Sequence, residues 1–278
     1  MRNLDQHTIT EAVLARQAQT PDPRLKQIMD LLVRHLHAFA REAQLTEAEW
    51  FQGIDFLTRC GHITDERRQE FILLSDVLGL SMLTVAQNND KPAGCTEATV
   101  VGPFHVQHAP RYPLGADISN GAHGVPCVVR GTVRGIDGEP VPQAELDVWQ
   151  SDEDGLYDVQ HAGITHAQAR GVLTADVAGH FHFRSILAVP YAIPHDGPVG
   201  QLLESMGRHP WRPAHLHFMI KAPGYETLIT HVFRSDDAYL GSDAVFGVRH
   251  SLIADWKQQP DGSYLVEYDF VLNPVAPS

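Results

Sequence analysis

The sequence predicts a mainly β protein, with a β-sandwich over residues 99–278 behind a helical region over residues 1–98. Two observations carry that prediction. Through the first third of the chain, apolar residues recur near a 3.6-residue period, as one face of a helix requires. From Thr99 onward they gather instead in short β-rich runs separated by turn residues. No long helical pattern interrupts those runs, so sheet packed on sheet is the natural architecture.

In the helical part, Leu25, Ile28, Leu32 and Phe39 mark one stripe, with Asp22 as N-cap and Pro23 as first-turn proline. Thr46 and Glu49 make the Thr-x-x-Glu pattern of a capping box. It opens a second helix carrying Trp50, Phe51, Ile54 and Leu57. A third helix is expected from near Asp65 through Phe71, Leu74, Leu78 and Met82 to about Gln87, where Asn88-Asn89-Asp90 and Lys-Pro end it. In the second part, strands are expected at 127–133, 144–149, 180–187, 215–221, 228–233 and 264–272, with a turn at Asp137-Gly138-Glu139-Pro140. The proline-rich joint at 109–113 reads as an ordered crossing loop.

At 278 residues the chain buries a sizeable core without difficulty. A net charge of −13 argues against nucleic acid or an anionic membrane as partner. Cys60, Cys95 and Cys127 are widely spaced, the pattern of a reducing compartment rather than of a disulfide framework. The N-terminal residues lack the apolar core of a signal peptide, and no run of eighteen apolar residues offers a membrane span. The cytoplasm is the expected location.

Four residues stand out: Tyr157 in DGLYDVQ, Tyr191 in VPYAIPHDGPVG, and His215 and His217 in RPAHLHF. The two histidines lie two apart in a strand, so their rings point to the same face and can converge on one point. Neutral imidazoles suit first-row transition metals, and a phenolate is a hard anionic donor. Two such nitrogens and two such oxygens fit a hard trivalent ion, best iron(III), for which tyrosine is a known ligand. Each residue also has a bland reading. A lone His-x-His is common in strands, and either tyrosine alone is more often a core ring with its hydroxyl tied to the backbone. The argument rests on all the contexts occurring together.

In their order and surroundings these contexts resemble the intradiol ring-cleavage dioxygenases, over almost the whole chain from Leu73 to Leu272. The resemblance implies a catalytic β-sandwich and an N-terminal helical region that forms a homodimer interface, in several members with a phospholipid between the helical regions. It implies one ferric ion per subunit held by Tyr157, Tyr191, His215 and His217, with Tyr191 the ligand displaced by a substrate bearing two adjacent ring hydroxyls. Arg212, three residues before His215, would stabilise negative charge on the substrate ring, because a guanidinium stays charged and planar; its bland alternative is a surface ion pair. His231 stands where catechol-cleaving relatives usually have glutamine, and serves either the site or the core.

Several positions resemble the hydroxyquinol-cleaving branch of the family. Leu73 and Asp76 lie one helical turn apart, and Val101, Gly102, Pro103 and Phe104 would line the opposite wall. Ile193 and Pro194 follow Tyr191, and Val245 lies in Asp-Ala-Val-Phe-Gly-Val. With Arg212 these make the expected substrate pocket, although Asp76 could equally be a solvated helix carboxylate. The implied reaction is cleavage of hydroxyquinol (benzene-1,2,4-triol) by O2 to 3-hydroxy-cis,cis-muconate, which tautomerises to maleylacetate. The rivals are the same chemistry on catechol or a chlorocatechol, and a non-catalytic sandwich that binds carbohydrate or protein. An extradiol enzyme is disfavoured, because it would need iron(II) held by two histidines and a carboxylate.

Overall fold

A computed structural model of the chain describes residues 3–65 and 68–275. Two compact units make up the fold, Met1–Arg59 and Cys60–Ser278. The described helices are α1 (Ile9–Gln17), α2 (Pro23–Glu42), α3 (Glu47–Ile63), α4 (Glu70–Val77), α5 (Leu80–Asn88) and α6 (Pro198–Ser205). The strands are β1 (Pro126–Gly135), β2 (Glu145–Trp149), β3 (Arg170–Thr174), β4 (His180–Ile186), β5 (Tyr191–Ala192) and β6 (Trp211–Arg212). They continue with β7 (His215–Lys221), β8 (Leu228–Arg234), β9 (Ile253–Ala254), β10 (Trp256–Gln258), β11 (Tyr264–Glu267) and β12 (Phe270–Leu272).

In the first unit the caps behave as their residues dictate. The Asp22 carboxylate accepts from the N–H groups of Arg24 and Leu25, with Pro23 at the head of α2. Thr46 and Glu49 exchange the two hydrogen bonds of a capping box at the start of α3. Arg41 donates to the Gln6 carbonyl and the Thr10 hydroxyl, which ties α2 to the chain entering α1. No residue of α2 is buried, and Leu25, Ile28, Leu32, Leu36 and Phe39 stand exposed along it.

The third expected helix is wrong in two respects. It begins at Glu70 rather than near Asp65 (residues 66 and 67 lie outside the described residues), and it is two helices rather than one. Gly79 adopts φ +75° between Val77 and Leu80, and α4 and α5 meet at 78°. A non-glycine residue resists that left-handed conformation, so the glycine inside an otherwise helical pattern was the signal. Among the described residues no single helix is long and apolar enough to cross a membrane.

The second unit holds two five-stranded sheets among the described residues. In the first, β1 pairs antiparallel with β4 along one edge. Its other edge takes β11 and then β12, both parallel, and β10 adds to β11. The second runs β3-β2-β7-β8-β9. The expected strand at 264–272 is therefore two strands, and β3, β5, β6, β9, β10 and the short α6 had no expectation. Between the sheets lies the core, with Leu146 and Val148 of β2, Leu216, Phe218 and Ile220 of β7, and Phe181, Phe183 and Phe270 facing them. The joint at 109–113 is ordered as expected, exchanging backbone hydrogen bonds with Val172 through Pro110 and Tyr112.

Candidate metal centre

Strand alternation decides where the histidines go. Leu216, Phe218 and Ile220 fill the core, so His215, His217 and Met219 must face the other side of the second sheet. Register then aligns a row across four strands: Arg170 opposite Trp149, Trp149 opposite His217, and His217 opposite His231. The Trp149 and His217 rings stack at 4.7 Å and 12°. This outer face is covered by the segment through Gly102 and Phe104, the loop carrying Tyr157, and the β5–β6 pair, in which Tyr191 sits opposite Arg212. Gly102 (φ +74°) brings its backbone so near that an added Cβ would lie 3.3 Å from His217 Cε1.

Four side-chain atoms converge there. His215 Nε2 and His217 Nε2 are 3.1 Å apart, and the Tyr157 hydroxyl is 3.0 Å from His217 Nε2. The Tyr157 and Tyr191 rings meet edge to face at 5.5 Å, and Arg212 Nη1 lies 3.3 Å from the Tyr191 hydroxyl and 3.4 Å from His215 Nε2. Nδ1 of His215 donates to the Pro213 carbonyl at 2.7 Å, and a carbonyl only accepts, so Nε2 presents a lone pair to the centre. First-row metals bind imidazole nitrogen at about 2.1 Å, and two such bonds at a right angle separate their donors by about 3 Å. The spacing of the nitrogens therefore fits a coordinated ion. All four residues are buried.

The electrostatics suit neutral nitrogens and guarded charges. Burial, then the neighbouring Arg212 charge, pushes the His215 imidazole down to about 3. Burial, then His215 and Arg212, holds His217 well below the usual histidine range. Burial, then the nearby Tyr191, raises Tyr157 well above the usual phenol value, so a cation is needed to stabilise its anion. Burial works against the Arg212 charge, but Asp243 and then Tyr191 outweigh it and raise the group overall. Arg212 Nε donates to Asp243 at 3.1 Å, and Nη1 points to Tyr191 OH at 3.3 Å and His215 Nε2 at 3.4 Å. The surface ion pair considered for Arg212 is thus excluded by its burial.

Beside the centre lies a cavity of about 290 Å³. Leu73, Asp76, Pro103, Phe104 and Pro194 line it, together with Arg68, Glu70, Ile72, Val159 and Gln160. Phe104 stacks on Tyr157 at 4.4 Å, so the cavity wall backs onto the candidate ligand. Asp76 is 7% exposed, which removes the solvated-carboxylate reading; burial, partly offset by a hydrogen bond with Ser81, raises it above the ordinary carboxylate value. Val101, Gly102, Ile193, Arg212 and Val245 do not line this cavity. Val101 is exposed, whereas Ile193 and Val245 are buried, their N–H groups donating to the Pro210 carbonyl and the Asp243 carboxylate.

Two supporting groups escaped sequence reasoning. Asp243 is the buried partner of Arg212, and its carboxylate also accepts from the N–H groups of Val245 and Gly247. Asp158, next to Tyr157, forms a buried two-point pair with Arg170, whose Nη1 donates to the Phe104 carbonyl at 2.9 Å. His231, for which the sequence left site and core both open, lies within the same cluster of buried histidines as His215 and His217. Charged residues inside apolar strand or ligand motifs were the available signal, but tertiary packing was needed to pair them.

Comparison with known proteins agrees with this geometry. Residues 100–274 match the family pattern described as Dioxygenase, and residues 22–96 match the catechol dioxygenase N terminus. The chain belongs to the intradiol ring-cleavage dioxygenases, a metal-dependent family of oxidoreductases. It is 66% identical to the 6-chlorohydroxyquinol 1,2-dioxygenase of Cupriavidus pinatubonensis over 99% of this chain and 100% of that protein. It is 54% identical to the hydroxyquinol 1,2-dioxygenase of Nocardioides simplex over 92% and 87% of the two chains. The crystal structure of hydroxyquinol 1,2-dioxygenase from Pseudomonas putida DLL-E4 superposes with a TM-score of 0.92 at 44% identity, covering 97% of this chain and 99% of that one.

Proposed function

We propose that the chain is an iron(III) enzyme that cleaves hydroxyquinol between its adjacent hydroxyls to 3-hydroxy-cis,cis-muconate, and so to maleylacetate. The observation that carries the reading is the convergence of two imidazole nitrogens and two phenol oxygens about one point beside a substrate-sized cavity. Tyr157, Tyr191, His215 and His217 would hold one ferric ion per subunit. Bound there, the ion supplies Lewis acidity that draws electron density from the substrate diolate.

The residues divide the remaining work. Tyr157 is fully buried, stacked by Phe104, and its N–H is held by Gln160 at 2.9 Å, so it stays in place. Tyr191, on the two-residue strand β5, would be the phenol that gives way, its oxygen taking up a proton from the arriving diol. Arg212 keeps its charge at the rim of the centre and stabilises the anionic ring as it is attacked. Leu73, Pro103, Phe104 and Pro194 hold the ring and exclude water, while Asp76 accepts a hydrogen bond from the third hydroxyl. Gly102 lies against the His217 ring, while Val101, Ile193 and Val245 lie outside the cavity lining.

Relatives named for hydroxyquinol support this substrate, and the relative named for 6-chlorohydroxyquinol supports a chlorinated ring as a second substrate. Residues 1–98 would form the helical dimerisation region and residues 99–278 the catalytic sandwich, a division supported by the two family segments meeting between residues 96 and 100. The exposed apolar stripe of α2 supports a homodimer with a phospholipid at that face. Three free cysteines support the cytoplasm. The test is oxygen uptake with product identification on hydroxyquinol, 6-chlorohydroxyquinol and catechol under identical conditions. Cleavage of hydroxyquinol is expected to dominate over catechol; a preference for catechol would overturn the substrate, and a colourless protein without iron would overturn the centre.

A further inference from the structure

We propose that His231 is a positioning residue for His217, the middle of a Thr99–His231–His217 relay, and that the three-histidine cluster supplies two metal ligands rather than three. The proposal rests on the reading of His217 as a ligand. It follows from counting ring nitrogens. A neutral imidazole has two, one donor and one acceptor. His215 uses Nδ1 on the Pro213 carbonyl and keeps Nε2 for the centre. His217 uses Nδ1 on His231 Nε2 at 2.8 Å and keeps Nε2 for the centre, 3.0 Å from the Tyr157 hydroxyl. His231 spends both nitrogens, Nε2 on His217 and Nδ1 on the Thr99 hydroxyl at 2.9 Å. No nitrogen of His231 is left for an ion.

The direction of the relay follows from the same count. When Nε2 of His217 gives its lone pair to a metal, Nδ1 must carry the proton and donate to His231 Nε2. His231 then carries its proton on Nδ1 and donates to Thr99 Oγ1. Each member is fixed from behind: the Thr99 N–H donates to the Ile229 carbonyl, His231 is paired with His217 across β8 and β7, and all three side chains are buried. A second partner of this kind orients a ligand ring and raises its basicity, and its loss typically weakens metal binding roughly 10–100-fold.

The test compares wild type, His231→Gln, His231→Leu and His217→Ala. Glutamine offers an acceptor oxygen to His217 and a donor to Thr99, so it restores the relay; leucine offers neither. Iron(III) affinity is measured by chelator competition, alongside the visible tyrosinate band. In wild type loaded with diamagnetic gallium(III), nitrogen NMR reads the protonation of each ring. His231→Leu is expected to lose roughly 10–100-fold in affinity and to shift the band, while His231→Gln stays within a few-fold of wild type. In the gallium protein, His231 is expected to be protonated on Nδ1 with Nε2 unmetallated. Wild-type affinity and band in His231→Leu, or a metal shift on a His231 nitrogen, would overturn the relay. So would loss of iron in His231→Gln as complete as in His217→Ala. A wild-type protein that takes up neither ion would sink the ferric reading instead. The relay would then stand or fall on whether the metal-free protein shows protected imidazole protons on both its hydrogen bonds.

Discussion

Arg212 shows how a single residue's setting fixes its chemistry. Its guanidinium is buried, yet Asp243 and the two phenols keep it charged, and one nitrogen is left facing Tyr191 and His215. Arg212→Ala should retain iron but react with oxygen roughly 10²–10³ more slowly, the usual loss for one electrostatic donor. Stopped-flow at saturating substrate reads this directly; an unchanged rate would remove Arg212 from the reaction. Asp76 is the carboxylate that burial has raised within a wall of Leu73, Pro103 and Phe104. A site that pairs a substrate hydroxyl can reject the analogue lacking it by up to about 10⁴, and a partly open cavity by on the order of 10–10³. Asp76→Ala should therefore bring the hydroxyquinol-to-catechol ratio of kcat/KM toward unity; an equal fall on both diols would make Asp76 structural.

At the scale of elements, two clamps hold the site together. The loop from Asp243 to Gly247 gives the Asp243 carboxylate two backbone donors besides Arg212. Its last residue has no room for a side chain, since a Cβ on Gly247 would come within 2.9 Å of Arg212 Nη2. The other clamp joins β3 to the turn after Tyr157 and to the Phe104 carbonyl through Arg170 and Asp158. Removing one partner of a buried pair leaves a charge uncompensated, at a cost of about 3–5 kcal/mol. Arg170→Met should thus lower Tm by roughly 10 °C in a unit of this size. The double change Arg170→Met with Asp158→Leu should recover much of that loss, and thermal denaturation would show it.

Across the whole molecule, charge and apolar surface make separate demands. His215, His217 and His231 are all held neutral by burial, with His215 down to about 3. An unfolded chain binds protons at these rings once pH drops below the ordinary value of 6.5, while the folded chain does not. Their contribution to the stability of the metal-free protein is complete above pH 6.5 and is lost progressively as pH falls toward 3. Denaturant midpoints at about pH 7.5 and about pH 5 should differ in that direction; an equal or higher midpoint at the lower pH would contradict it. Helix α2 exposes six large apolar side chains, including Phe39 at 59%, which a lone chain in water does not favour. Sedimentation should give twice the 30.8 kDa chain mass, and Phe39→Glu should shift the protein toward the monomer.

The sequence by itself determined the order of helices then strands, the caps at Asp22 and Thr46, and the strand that carries His215 and His217. These are local matters: a period of two or of 3.6, or a side chain reaching its own helix end, is written within a few residues. The candidate ligand set and the Leu73–Asp76 wall were legible as one site only through family resemblance, because residues from 73 to 217 meet there across long stretches of chain. Short strands such as β5 and β6 were not legible, since two residues carry no periodicity and exist only because the Tyr191 and Arg212 segments lie together. Tertiary structure alone decided that Asp243 pairs with Arg212, that Asp158 pairs with Arg170, and that both nitrogens of His231 are spent. The His217–His231 pairing depends on the register of β7 against β8, which is set by packing of the opposite, apolar face, whereas the two ion pairs depend on loops distant in sequence being brought against Arg212 and Arg170.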